Sequence, residues 1–249
     1  LTLLHKGYVF IRFEDYCSKS ISELPERFII LRHDVDMKPR NSLQTAEIEH
    51  ALGIGASYYF RVVKQSNNPE VIRAIVDMGH ELGYHYEDLS TENGNMDLAI
   101  KRFEEHLQYF RRYYPVRTIC MHGAPISKYD SKDMWKQHDY HRYGIIGEPY
   151  FDVDFSMVFY LTDTGRRWDG HKVSVRDKIP RYQEHWTQIG WTYASTQQII
   201  HAIKHEQLPA RIMLTTHPQR WNNNIYLWTF EYVMQAAKNV VKRIIIRQQ

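Results

Sequence analysis

The run Phe28-Ile29-Ile30-Leu31 is wholly apolar and passes straight into Arg32-His33-Asp34-Val35-Asp36. That is the pattern of a strand buried on both faces that ends at a polar site. A helix is predicted next, with Asn41 or Ser42 as its cap, Leu43, Ala46, Ala51 and Leu52 on its inner side and Gly53 closing it. The aromatic and β-branched stretch from Ser57 to Val63 then predicts a second strand. Asn68-Pro69 opens another helix, striped by Ile72, Ile75 and Val76 and ended by Gly79. A third strand is expected from His80 to Tyr86. Met96, Ala99, Ile100, Phe103, Leu107 and Phe110 keep helical spacing before Pro115, and a short strand follows from Thr118 to Met121.

From Ser127 to Asp154 the sequence shows no clear period. Beyond it, Met157 to Leu161 reads as a strand ending at Thr162-Asp163, and Ser195 with Gln198 forms a capping box before Ile199, Ile200 and Ile203. Arg211 to Thr215 is the last predicted strand and stops at His217-Pro218. From Ile225 onward one long helix is expected, with Leu227, Phe230, Met234, Ala237, Val241 and Ile244 packed on the core. Strands alternating with helices over short links imply an α/β fold, a parallel sheet with covered faces, open or closed into a barrel.

With 249 residues and no low-complexity linker, the chain is expected to form a single domain over 1–249. Its 43% hydrophobic and 24% charged content is that of a globular protein, with no run apolar enough to span a bilayer. A net charge of +3, with both signs interspersed, argues against nucleic acid as a partner. Charges at Lys6, Arg12 and Glu14 keep the first residues from reading as a signal peptide. Cys17 and Cys120 are too few for a disulfide framework, so a reducing cytoplasm is expected. Oligomeric state is not legible.

The predicted strand ends carry Asp34 and Asp36, His85 and Glu87, His122, Asp163 and His217 in turn. Parallel α/β folds build their sites at such ends, so one pocket could gather them all. Carboxylate with imidazole suits a borderline divalent cation such as zinc. Asp36 and His85 form the best pair. Asp34 and Asp36, two apart, share a strand face, so one could bind metal while the other accepts a proton. His80 falls on the face opposite His85 and reads as structural.

Leu31 to Asp36 resembles the first motif of the NodB-like polysaccharide deacetylases, and Gly79-His80-Glu81-Leu82-Gly83-Tyr84-His85 resembles their second. Leu214-Thr215-Thr216-His217 is similar to the final motif, and Asp163 with Trp168 to the family's Asp and Trp segment. The Arg-His-Asp-Val-Asp and Gly-Tyr-His-Tyr-Glu wording resembles the branch found in O-antigen and other surface-polysaccharide clusters. The resemblance implies a distorted (β/α) barrel with a long C-terminal helix and one divalent metal, zinc before cobalt or nickel. It also implies a metal-dependent N-deacetylase acting on a sugar. Two departures stand out: Leu89 occupies the place of the family's second ligand histidine, and Val35 separates the two aspartates. His122 is the first candidate for the third ligand and Glu87 the second, and Asp34 and Asp36 could exchange roles.

On this reading Asp36, His85 and His122 hold the metal, Asp34 is the base, His217 the acid and Asp163 its acidic neighbour. A backbone N–H near the fourth strand end would help stabilise the oxyanion. Tyr86, Trp168 and Trp221 would contact an N-acetylated sugar, and Arg166 a phosphate or uronate on a nucleotide-linked or lipid-linked substrate. The alternatives are hydrolysis of a small non-sugar amide and a degenerate carbohydrate-binding protein.

Overall fold

A computed structural model describes residues 1–124, 126–169, 174 and 176–247, with side chains described as far as Val240. The chain begins with α1 (Thr2–His5), β1 (Val9–Ile11) and α2 (Phe13–Ser18), three short elements that carry too few turns or residues to register as periodic. The alternation follows: β2 (Phe28–Val35), α3 (Pro39–Ala51), β3 (Ser57–Phe60), α4 (Pro69–Asp77), β4 (Glu81–Tyr86), α5 (Asp88–Thr91), α6 (Met96–Arg111) and β5 (Ile119–Met121). The remainder holds α7 (Pro149–Asp152), β6 (Phe159–Thr162), α8 (Pro180–Gln188), α9 (Thr196–Lys204), β7 (Arg211–Thr216) and α10 (Ile225–Arg247).

Among the described residues the strands form one 7-stranded sheet in the order β5-β4-β3-β2-β7-β6, with β1 beside β2, and every pairing is parallel. Strands adjacent in sequence are adjacent in space on both sides of β2, so the sheet curls into a half-barrel whose seam lies between β5 and β6. β2 is its hub. β1 pairs with Phe28, Ile29 and Ile30, β3 with Arg32 to Val35, and β7 runs along the other edge.

Alternation sorts the side chains. On β4, Gly83 and His85 face the interior while Tyr84 and Tyr86 face α6, where Tyr86 meets Phe103 and Trp135 edge to face. Gly83 is required there, because a Cβ would lie 2.2 Å from the Tyr59 ring that crosses the interior. Gly79, at φ 87°, ends α4 in the left-handed region that only glycine enters without strain.

Local chemistry moved several boundaries from their expected places. Helix α3 starts earlier because Lys38 turns into the left-handed region and sets Pro39 at the first helical position. The expected strand to Val63 stops at Phe60, where the Arg61 N–H donates to Ser66 Oγ rather than to a neighbouring strand. The larger correction concerns α10. Its polar side faces the body: Glu231 pairs with Arg166, Gln235 is buried and Asn239 donates to the Gly165 carbonyl. Leu227, Phe230 and Met234, expected in the core, are exposed, and Val241 and Ile244 have side chains outside the described residues.

Glu81 lies fully enclosed at the bottom of the barrel, accepting from Ser57 Oγ, Thr118 Oγ1 and the Glu14 N–H. Burial, then the nearby Glu14 carboxylate, push its carboxyl up to about 7 against those hydrogen bonds. The folded value exceeds the unfolded one, so the fold favours the protonated form. Its contribution to stability is complete below the unfolded value and is lost as pH rises through about 7. Glu81→Gln is therefore expected to gain on wild type in urea unfolding between about pH 5 and about pH 8.5, by up to about 3 kcal/mol. A difference that stays constant with pH would refute this.

Candidate active site

The C-terminal ends of β2, β4, β5 and β7 converge above the barrel interior, and each end contributes a polar side chain. Arg32 and Asp34 are two apart on β2 and point the same way, both buried. Arg32 holds Asp34 through both oxygens, Nε to Oδ1 at 2.8 Å and Nη2 to Oδ2 at 2.7 Å. Burial would raise the Asp34 carboxyl, but Arg32 and the neighbouring imidazoles outweigh it and hold the group below its ordinary value. Asp36 lies one residue beyond the strand. Its Oδ2 accepts from Gln219 Nε2 at 3.1 Å, and its buried Oδ1 has no hydrogen-bond partner among the described residues.

His85 Nε2 and His122 Nε2 each lie 3.6 Å from that Oδ1. Both rings are oriented from behind. His85 Nδ1 meets the Cys120 carbonyl at 2.9 Å, and His122 Nδ1 meets Glu87 Oε2 at 2.7 Å. Arg61 grips Glu87 with Nε and Nη2, both at 2.8 Å. Each imidazole thus turns a free Nε2 toward Asp36. Glu87, the second candidate for the third ligand, stands behind His122.

Asp36, His85 and His122 offer ligand atoms that lie within 4.8 Å of one another. A tetrahedral zinc set with bonds of about 2.0–2.1 Å has its ligand atoms about 3.4 Å apart, so an unpaired carboxylate oxygen 3.6 Å from two free imidazole nitrogens fits such an ion. Asp34, His85 and Cys120 form a second cluster. Both Asp34 oxygens are engaged by Arg32 there, and burial holds the Cys120 thiol well above its ordinary value, so this set fits a metal less well.

His217 faces the cluster across the pocket, with Nε2 3.9 Å from Asp36 Oδ2. Its Nδ1 bonds Asp163 Oδ1 at 2.6 Å. Asp163 also accepts from Arg220 Nη1 at 2.7 Å, from the Trp221 indole at 2.9 Å and from the His217 N–H at 3.2 Å. Burial pushes its carboxyl up, but Arg220 and His217 more than offset this and it stays below the ordinary value.

Several neighbours carry no signal in the sequence. Asp177 accepts from Tyr150, Tyr160, Thr162 and Thr164, and its carboxyl is lowered to about 2, burial being overcome by Arg32, His217 and these hydroxyls. Arg176 ties the loop after β5 to the site through the Gly123 and Ser127 carbonyls at 2.8 and 2.7 Å. Both residues sit in a stretch with no period to reveal them. Arg32 was readable, since residues two apart on a strand share a face.

Of the residues expected to contact substrate, Tyr86 is excluded. It is 0% exposed and packed under α6 on the strand face opposite His85. Trp168, Trp221 and Arg166 instead line a cavity of about 820 Å³ between the Thr164–Arg166 turn, the start of α9 and α10. Arg166 pairs there with Glu231 and lies over the Trp228 ring at 4.5 Å. That cavity shares Arg220 with the smaller pocket of about 100 Å³ that holds Asp34, Asp36, His85, His122 and His217. At the end of β5 the Met121 N–H donates to Glu148 and the His122 N–H to the Tyr86 carbonyl, which leaves the Gly123 N–H, in the pocket lining, as the backbone donor nearest the strand end.

No protein-family model and no curated protein matches this chain. Among solved structures, it is similar to a family 4 carbohydrate esterase from Streptomyces lividans in complex with acetate, at 14% identity over 86% of this chain and 90% of that one, TM-score 0.42. It is also similar to a mutant of a CE4 family pseudoenzyme, at 13% identity over 89% of this chain and 68% of that one, TM-score 0.44.

Removing Arg32 alone would strand the Asp34 carboxylate in the interior. Arg32→Met is expected to destabilise the protein by about 3–5 kcal/mol in urea unfolding, with most of the loss recovered in Arg32→Met/Asp34→Leu. Equal stability of Arg32→Met and wild type would show that the pair is not the constraint it looks to be.

Proposed function

We propose that this chain is a metal-dependent hydrolase that removes an N-acetyl group from a sugar. The observation that carries the reading is the buried Asp36 Oδ1, without a hydrogen-bond partner among the described residues, with His85 Nε2 and His122 Nε2 each 3.6 Å away. In this reading Asp36, His85 and His122 are the ligands of one divalent ion, zinc being the best match to the donor set and cobalt or nickel alternatives. Such an ion, when bound, supplies Lewis-acid polarisation of the acetamide carbonyl.

The chain's own groups carry the protons. Asp34, kept ionised and held in one orientation by Arg32, takes a proton from the attacking water as the new C–O bond forms. His217, with Nδ1 fixed by Asp163, presents Nε2 to the departing nitrogen and gives it a proton as the C–N bond breaks. Acetate and the free amine are the products. Arg220, Trp221 and the His217 N–H keep Asp163 ionised and in place, which holds the His217 ring upright.

The size of the adjoining cavity supports a sugar over a small amide. Trp168 and Trp221, with ring centroids 6.4 Å apart, provide flat apolar walls of the kind sugar faces stack on, and Arg166 sits at the rim. We take the substrate to be an N-acetylated sugar of a surface polysaccharide or its carrier-linked precursor, handled in the cytoplasm.

Purified protein reloaded with zinc or cobalt is expected to hold about one ion per chain, and Asp36→Ala and His85→Ala to lose it. Glu87→Gln, which removes the negative charge behind His122 and its ion pair with Arg61, should weaken metal affinity about 10- to 100-fold. His217→Ala should keep the metal and lower amine release from N-acetylated sugars about 10²- to 10⁴-fold. Full metal and activity in His85→Ala would remove the metal set. A metal-loaded wild type that releases amine only from non-sugar amides would remove the sugar.

A further inference from the structure

Helix α10 is amphipathic in the reverse sense to an ordinary surface helix. Its body-facing side carries Glu231, Gln235 and Asn239, bonded to Arg166, to one another and to the Gly165 carbonyl. Its outer side shows solvent Tyr226, Leu227, Phe230, Val233 and Met234, from 44% to 82% exposed. At 100° per residue these side chains fall on one continuous face. Single exposed apolar residues are ordinary, but an unbroken face along a helix marks an interaction surface.

The charge on the helix points to the occupant. Its only acid, Glu231, is turned inward and neutralised by Arg166. From Tyr232 to Gln249 the sequence carries Lys238, Lys242, Arg243 and Arg247 and no Asp or Glu. In helical register Lys238, which is exposed, falls at the border of the apolar face, and the three further cations follow it in the sequence. An apolar face bordered by cations is what a helix needs to lie in the plane of a bilayer, its apolar side among acyl chains and its cations at anionic headgroups. Tyr226, 82% exposed on the same face, adds an aromatic ring suited to the headgroup level. No helix among the described residues is long and apolar enough to cross a membrane, so the contact would be lateral. A second copy of the chain fits less well, because two such basic helices would bring like charges together.

We propose that the outer face of α10 binds the surface of an anionic lipid membrane. One wall of the 820 Å³ cavity is made by the same helix, so docking would hold the cavity close to the headgroups. The binding itself is independent of any catalysis.

Full-length protein is mixed with vesicles of phosphatidylcholine alone or of phosphatidylcholine with phosphatidylglycerol, and sedimented. The expected result is binding to the anionic vesicles, weakened by added salt and poor on phosphatidylcholine alone. Lys238→Gln should lower partition about fivefold on the anionic vesicles only. Phe230→Asp/Met234→Asp should reduce it tenfold or more, with unchanged circular dichroism and melting temperature, since both side chains are already in solvent. Absence of binding to either vesicle overturns the proposal. So does a wild-type dimer in light scattering that the Phe230→Asp/Met234→Asp variant converts to monomer while vesicle binding is absent, which would assign the face to a second copy. Equal binding to both vesicles would also overturn the assignment to anionic lipid.

Discussion

A guanidinium and a carboxylate, two residues apart on one strand, are sealed inside the barrel with 1% and 3% of their surfaces exposed. Ions of this kind lose several kcal/mol of hydration each and persist only where their geometry satisfies them. The bidentate contact between Arg32 and Asp34 engages Nε and Nη2, while Nη1 has no hydrogen-bond partner among the described residues and faces the aromatic and acidic layer around it. Tyr150 and Tyr160 lie near the guanidinium, with ring centroids 5.7 and 6.0 Å away, and Asp177, whose carboxyl Arg32 helps to lower, adds a second negative charge nearby. Those two tyrosines in turn donate to Asp177, which gathers Thr162 and Thr164. The polar interior is therefore a connected network from β2 to β6, and the pocket opens at its top.

The two imidazoles that face Asp36 are set by different means. A backbone carbonyl on the neighbouring strand fixes His85, so its orientation follows from sheet register alone. His122 lies past the end of β5 and depends on a chain of side chains, Arg61 to Glu87 to its Nδ1. A site built this way has one rigid corner and one corner whose position depends on an ion pair spanning β3 and β4.

Much of the fold was readable because periodicity and punctuation agree. Asn68 caps α4 as its Asn-Pro sequence suggests, Gly79 closes that helix, and the strand ends lie within a few residues of their expected positions. Alternation also grouped Asp34 with Asp36 and set His80 apart from His85. Applied one residue further, the same rule puts Tyr86 behind the sheet, and its aromatic character outweighed that argument. Asp177 and Arg176 escaped because they reach the pocket from an irregular segment, where no repeat distinguishes an inward residue from an outward one. The stripe on α10 was correctly placed on one face but assigned to the wrong side, since hydrophobic periodicity gives a face and not what covers it.

The hub position of β2 has a kinetic consequence. His33 on β2 and Thr216 on β7 are bonded across 183 residues of sequence, and β7 is the last strand in chain order among the described residues. Loop closure on that scale is slow, and until it happens β2 has an unpaired edge and its buried charges remain open to water. Asp36 and His217 directly follow the two strands that this step joins. A nascent or partly refolded chain can therefore assemble the half of the pocket from β2 to β5 well before it acquires the other half, and the complete pocket reports that the chain has closed.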